Sequence, residues 1–274
     1  MQFVNKRDLY CDESKAFILC EYKRELKLIK KLINISEEAI EKQDTHNTWS
    51  YEGICHSFAK TIVDYSKMAY DNLVIGHFDA VHMISRATLE NLICLDVIMS
   101  NQDLEIWKDY FAYSYYHDVQ KNKKTGRIDL SELLDIFDWT ISEDFYISPG
   151  KDKNGNKIKP YIERLYGWTY KINPEQQFSF KGLCNLLDNE SEYDVFGMLS
   201  KYSHGTSFCI KLHSSIDVDS MMFIFANMYA NLRRMVKIYC WDEVNEDFDK
   251  ITDELEIIFH RYIEYEESVW NNIQ

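Results

Sequence analysis

The sequence predicts an all-α protein, a multi-helix bundle that ends in a long amphipathic helix. Three observations predict it. Apolar residues recur at steps of three and four along most of the chain, which is the spacing of one helix face. Only 9 Gly and 3 Pro occur in 274 residues, too few for the turns and strand breaks of a β-rich fold. Polar loops join the periodic segments. At this length the chain can bury a sizeable core without covalent staples. It reads as a single helical domain over 1–274, with an N-terminal helical extension (1–48), a core (49–212) and a C-terminal helical pair (213–274).

Each element has its own signal. Residues 13–42 predict a helix rich in Lys and Glu, with Leu26, Ile29, Ile33 and Ile40 on its apolar face. Thr45-His46-Asn47-Thr48 is a polar break. A second helix is expected over 50–72, where Ile54, Phe58, Ile62 and Tyr65 keep helical spacing. Gly76 separates it from a third helix that ends near Ser100-Asn101. Residues 103–121 predict a fourth, with Leu104, Trp107 and Phe111 on one side, and 130–138 a shorter one.

The segment 148–160, SPGKDKNGNKIKP, is the clear loop. It holds four Lys against one Asp, and Asn154-Gly155 is a turn dipeptide. It reads as a solvated surface loop, with a phosphate-touching basic flap as the functional alternative.

Helices resume near Phe180. Ser191 has the character of an N-cap, with Asp194 three residues on, and that helix runs to His204 and stops at Gly205. A long apolar helix follows over 218–240. In the last helix Val244, Phe248, Ile251, Leu255, Ile258, Tyr262, Tyr265 and Val269 alternate at steps of four and three. That is a heptad seam about 38 Å long.

The net charge of −14 disfavours nucleic-acid backbone and anionic lipid. Yet eleven acids against Lys250 and Arg261 lie between Asp242 and the end, while the first 45 residues are neutral. A local basic patch elsewhere is compatible with that distribution. Seven Cys without a CxxC fit buried free thiols in a reducing compartment. Met1 to Asp8 shows no apolar signal region, and no run is long enough to span a bilayer. The expectation is a cytoplasmic protein with no membrane partner.

No HExxH or paired-Cys spacing is present, and Asp79-x-x-His82 is a single, unrepeated metal-type motif; neither metal nor cofactor is expected. No Gly-rich phosphate loop occurs either. Two clusters carry chemistry instead. On the third helix Asp79, His82, Arg86 and Glu90 lie within an arc of about 80°. One face offers two acids, an imidazole and a guanidinium. A structural ion-pair stripe gives the same pattern. The second cluster is Tyr202-Ser203-His204-Gly205. A histidine at a helix C-terminus is poised to act as general acid or base. Capping of the last carbonyls is its structural counterpart.

Together the two clusters resemble the bacterial domain-of-unknown-function family numbered 5677, an all-helical group related to the HEPN fold. The resemblance runs from about residue 73 to 212. It rests on Arg86 and Glu90 one turn apart, the aromatic helix 103–121, and Tyr193 followed by Tyr202-Ser203-His204-Gly205. It implies a HEPN-like bundle, and many HEPN proteins are ribonucleases of toxin–antitoxin and phage-defence systems. Their usual Arg, four to six residues, His motif is not kept. The next His after Arg86 is His117, and none follows Arg233 and Arg234 before His260.

Two readings follow. In the first the chain is a metal-independent ribonuclease with a split site. His204 is the acid or base, Arg86 holds phosphate, Glu90 orients one of them, Ser203 hydrogen-bonds, and Asp79, His82 and Tyr202 support them. RNA is then a partner. In the second the same groups form a buried polar network in a non-catalytic interaction module, and the heptad helix drives homo-oligomerisation.

Overall fold

The computed structural model describes residues 18–43, 50–122, 143–148, 150, 153–203, 218–244 and 246–271. Among them the fold is all-α. The elements are α1 (Lys23–Glu41), α2 (Tyr51–Val74), α3 (Phe78–Ser100), α4 (Ile106–Asn122), the single turn α5 (Glu143–Tyr146), α6 (Phe180–Leu186), α7 (Glu190–Ser203), α8 (Val218–Tyr239) and α9 (Glu246–Asn271). Short 3-10 turns stand at Gln102–Leu104, Tyr161–Glu163, Gly167–Thr169 and Trp241–Glu243.

The described residues divide into two compact units. The first takes the described residues within 18–43, 55–92 and 194–271, the second those within 50–54 and 93–193. In the first unit α1 packs on both α8 and α9, which pack on each other. The residues at helical spacing are the ones that are buried. Leu26, Ile29, Leu32 and Ile33 of α1 are buried, as are Phe225, Leu232 and Val236 of α8 and Phe248, Ile251 and Leu255 of α9. Each such side chain contributes about 1.5–3 kcal/mol by leaving water. Tyr22 adds a ring contact to Phe225 at 5.6 Å. Helix α2 joins through the Lys67–Glu37 ion pair and through Lys30 over Tyr70 at 5.1 Å. Two buried hydroxyls are satisfied by bonding back to their own helix. Ser36 donates to Leu32 O and Ser66 to Ile62 O, both at 2.8 Å.

Helix α2 ends in a Schellman motif. Gly76 takes φ +82°, its N–H donates to Leu73 O at 3.0 Å, and the His77 N–H donates to Asn72 O at 2.9 Å. The reversal fixes where α3 begins.

The second unit is built around Trp168, which is fully buried and meets Tyr110 of α4 edge-on at 5.3 Å. Gly167 makes this possible. A Cβ there would lie 1.8 Å from Tyr161 O, so the two 3-10 turns close on each other only with glycine. Helix α6 is capped by Ser179, whose Oγ accepts from Gly182 N at 3.2 Å.

Several expectations are corrected. The helix foreseen over 103–121 begins at Ile106, because the chain first makes a 3-10 turn and sets Glu105 at φ +49°. Its buried stripe is Ile106, Asp109, Ala112 and Tyr116, and Leu104 is exposed. Ser191 is inside α7 rather than capping it; its Oγ donates to Asn189 Oδ1 at 2.9 Å. Val244 precedes α9, and the seam is buried from Phe248 to Ile258 but has reached the surface at Tyr265. Thr45–Thr48, the helix at 130–138 and the stop at His204-Gly205 lie outside the described residues. Among the described residues no helix is long and apolar enough to cross a membrane. Cys55, Cys94, Cys184 and Cys240 are buried, Cys20 is exposed, and all five are outside any disulfide.

Leu255 is fully buried. Leu255→Asp is therefore expected to lower stability by roughly 3 kcal/mol or more, since the charge has no partner there. Urea denaturation followed by circular dichroism checks this; an unchanged midpoint would contradict the packing of α9.

Candidate functional site

The first unit holds the polar stripe of α3. The helix forms because apolar residues surround the stripe: Val81, Leu89 and Leu92 are buried on one side of it. Asp79, Arg86 and Glu90 are half-buried, and His82 is 3% exposed. The His82 ring lies 6.2 Å from that of Phe223 on α8. Burial pushes its imidazole down to about 4, so it is neutral at physiological pH.

Arg86 is held differently. Its guanidinium Cζ sits 4.5 Å from the ring centre of Phe196 on α7, a cation–π contact. Neighbouring polar side chains satisfy themselves on α3: Thr88 donates to Ile84 O at 2.9 Å and Asn91 to Ala87 O at 2.8 Å. Arg86 does not. Its Nε is buried without a hydrogen-bond partner, and among the described residues it forms no ion pair, Glu90 included. The stripe is thus no ion-pair ladder at its centre. A guanidinium carries five N–H donors.

The contact with Phe196 brings α3 against the helix that ends in Ser203. Phe196 and Ser203 are seven residues apart on α7, nearly in line on one face and about 10 Å apart along the axis. The side chains of Tyr202 and Ser203, and all of His204, lie outside the described residues. Among the described residues no group of three His, Cys, Asp or Glu is placed to hold a metal ion.

The second unit holds a group that the sequence reading missed. Asp109 of α4 is 1% exposed, and Lys171 Nζ lies 2.7 Å from its Oδ2. Burial pushes the Asp109 carboxyl up to about 6, against the pull of Lys171. Lys171 lines a cleft of about 500 Å³ together with Asp144, Ile147, Tyr161, Tyr170 and Pro174. The clue in the sequence was an acid at position 109 on the stripe Ile106, Ala112, Tyr116, where every other member is apolar.

The depressed His82 has a consequence for stability. Its folded value, about 4, is below the usual 6.5. Between these values the unfolded chain binds more protons, so stability falls as pH drops through that window, by up to about 3 kcal/mol from this group. NMR titration of the His82 ring is expected to show no protonation above pH 5. A midpoint near 6.5 would show that the ring is not buried.

No curated protein and no solved structure matches the chain. A family model does, over residues 52–221, the span that carries Arg86, Glu90, Ser203, His204 and the Asp109–Lys171 pair alike. The chain belongs to that family, the family of unknown function DUF5677.

Proposed function

We propose that this chain is a HEPN-related helical protein that binds RNA phosphodiesters through Arg86 and cleaves them without a metal ion. The observation that carries this reading is the state of Arg86: half-buried, stacked on Phe196, its Nε buried and unbonded, with no carboxylate beside it among the described residues. Such a guanidinium suits the bidentate binding of a phosphate. The neutral His82 narrows the acid–base role. A group that titrates near 4 is a poor proton shuttle at pH 7, which leaves His204 for that work. In the reaction a 2′-hydroxyl attacks the adjacent phosphorus and the 5′-oxygen leaves. His204 moves the proton, Glu90 orients it, and Ser203 donates to a phosphate oxygen. Asp79, His82 and Tyr202 hold these groups in place. A toxin-type or phage-defence role in the cytoplasm fits such an activity.

Incubation of the full chain with single-stranded RNA in EDTA tests the proposal. The wild type is expected to cleave. Arg86→Ala is expected to lose about 100-fold or more in rate, the usual effect of removing a donor to a developing anion. His204→Ala is expected to lose activity with an unchanged melting temperature. An inactive wild type, or full activity in Arg86→Ala, would refute the assignment.

The alternative reading is a non-catalytic module that self-associates. It is favoured by Ile257 and Ile263 of α9, which are 49% and 51% exposed. Under it, light scattering gives a dimer mass for the wild type and a monomer mass for Ile257→Glu/Ile263→Glu. A monomeric wild type contradicts it.

A further inference from the structure

The cleft of the second unit is independent of Arg86 and has the makings of a separate binding site. Its volume, about 500 Å³, is within the range of small-molecule sites. Two of its lining residues, Tyr161 and Tyr170, belong to an aromatic stack that extends behind them. Phe145 and Tyr170 are stacked at 5.5 Å, Tyr170 and Tyr161 at 4.7 Å, and Arg164 closes the stack 4.5 Å from the Tyr161 ring centre. Phe145 and Tyr170 are buried, so this stack does not need to be ordered by a ligand. Ile147, which is 51% exposed, and Pro174 add apolar surface.

The polar groups define the ligand's charge. Lys171 pairs with Asp109 at 2.7 Å, and among the described residues no second anion meets its ammonium, which carries three N–H donors. Asp109 is inside the unit and out of the ligand's reach, since its side chain is 1% exposed. Asp144 is on the lining. Its carboxylate opposes a second negative charge, which counts against phosphate dianions and polyphosphates.

We propose that this cleft binds a small organic monocarboxylate, its carboxylate on Lys171 and its apolar body against Ile147, Pro174 and the edges of Tyr161 and Tyr170. Binding is linked to a proton. The ligand's carboxylate competes with Asp109 for the same ammonium, and protonation of Asp109 releases Lys171 to the ligand. The charged groups around Asp109 are Glu105 and Lys108 on α4 and Lys171 on the segment after Gly167–Thr169. Asp144 of α5 lines the same cleft as Lys171. Burial raises the Asp109 carboxyl to about 6. The folded, ligand-bound form therefore takes up a proton, and affinity rises as pH falls from 7.5 to 5.5.

Titration of the full chain by calorimetry with benzoate, benzamide and benzylamine tests this. Benzoate is expected to bind about tenfold or more tightly than its neutral and cationic counterparts, the effect of one charge-assisted contact. Its affinity is expected to rise about tenfold between pH 7.5 and pH 5.5, as linkage to a group near 6 requires. Lys171→Met is expected to lose the preference, and Asp109→Asn to bind at pH 7.5 as the wild type does at pH 5.5. The double variant Asp109→Asn/Lys171→Met leaves no unpaired buried charge. It is expected to fold and to show no preference for benzoate. No binding of benzoate, equal binding of the three probes, a preference for benzylamine, or benzoate selectivity retained in the double variant would each overturn the proposal. None of these outcomes bears on RNA cleavage.

Discussion

A guanidinium taken halfway out of water has to be held by something, and in this chain Arg86 is held by the face of Phe196. The contact is unusual for what it lacks. A half-buried arginine commonly rests on a carboxylate, which neutralises it and uses its donors. Here the aromatic face offsets part of the desolvation and leaves the hydrogen-bonding edge unspent. The rest of the first unit supports that arrangement. The Gly76 reversal sets the start of α3, buried Val81, Leu89 and Leu92 fix its rotation, and α7 supplies the ring. An arginine so placed carries a stability cost that an oxyanion would relieve.

The two units use buried titratable groups in opposite senses. His82 is pushed toward its neutral form and weakens the fold as pH drops from about 6.5 to about 4. Asp109 is also pushed toward its neutral form, but for a carboxyl that means a raised value, near 6. The folded chain then binds more protons than the unfolded one between about 3.8 and 6. The Asp109 contribution therefore weakens as pH rises through that window. Near pH 5 the two effects oppose each other. Lys171 makes the Asp109 cost tolerable, because a buried carboxylate without a partner is far less stable than a paired one.

Helices were legible in the sequence wherever one apolar face decided the matter. Residues 50–72 became Tyr51–Val74, and 218–240 became Val218–Tyr239. Boundaries were harder, for identifiable reasons. Glu105 adopts a left-handed conformation that nothing in its side chain announces, and so it ends a 3-10 turn where a helix had been expected to continue. Ser191 and Asn189 are both good capping residues, and α7 starts at Glu190, between them. The stripe on α3 was legible because it is local to one helix. That Arg86 would rest on Phe196 was not, since only tertiary packing joins α3 to α7. The Asp109–Lys171 pair was missed for the same reason: its members come from α4 and from a non-helical segment far along the chain. The proposed partner His204 lies outside the described residues, so its role rests on its place in the sequence.

The oxyanion site proposed at Arg86 is at its terminal Nη groups, beyond the buried Nε. The most direct measurement follows the Arg86 Nε–H resonance by NMR as a short RNA carrying non-cleavable 2′-O-methyl groups is added. The account predicts a saturable shift of that resonance, with the Arg233 and Arg234 resonances unmoved and with the shift weakened by added inorganic phosphate. An Arg86 Nε–H signal that stays in place while RNA binds elsewhere, or while no RNA binds at all, would contradict it.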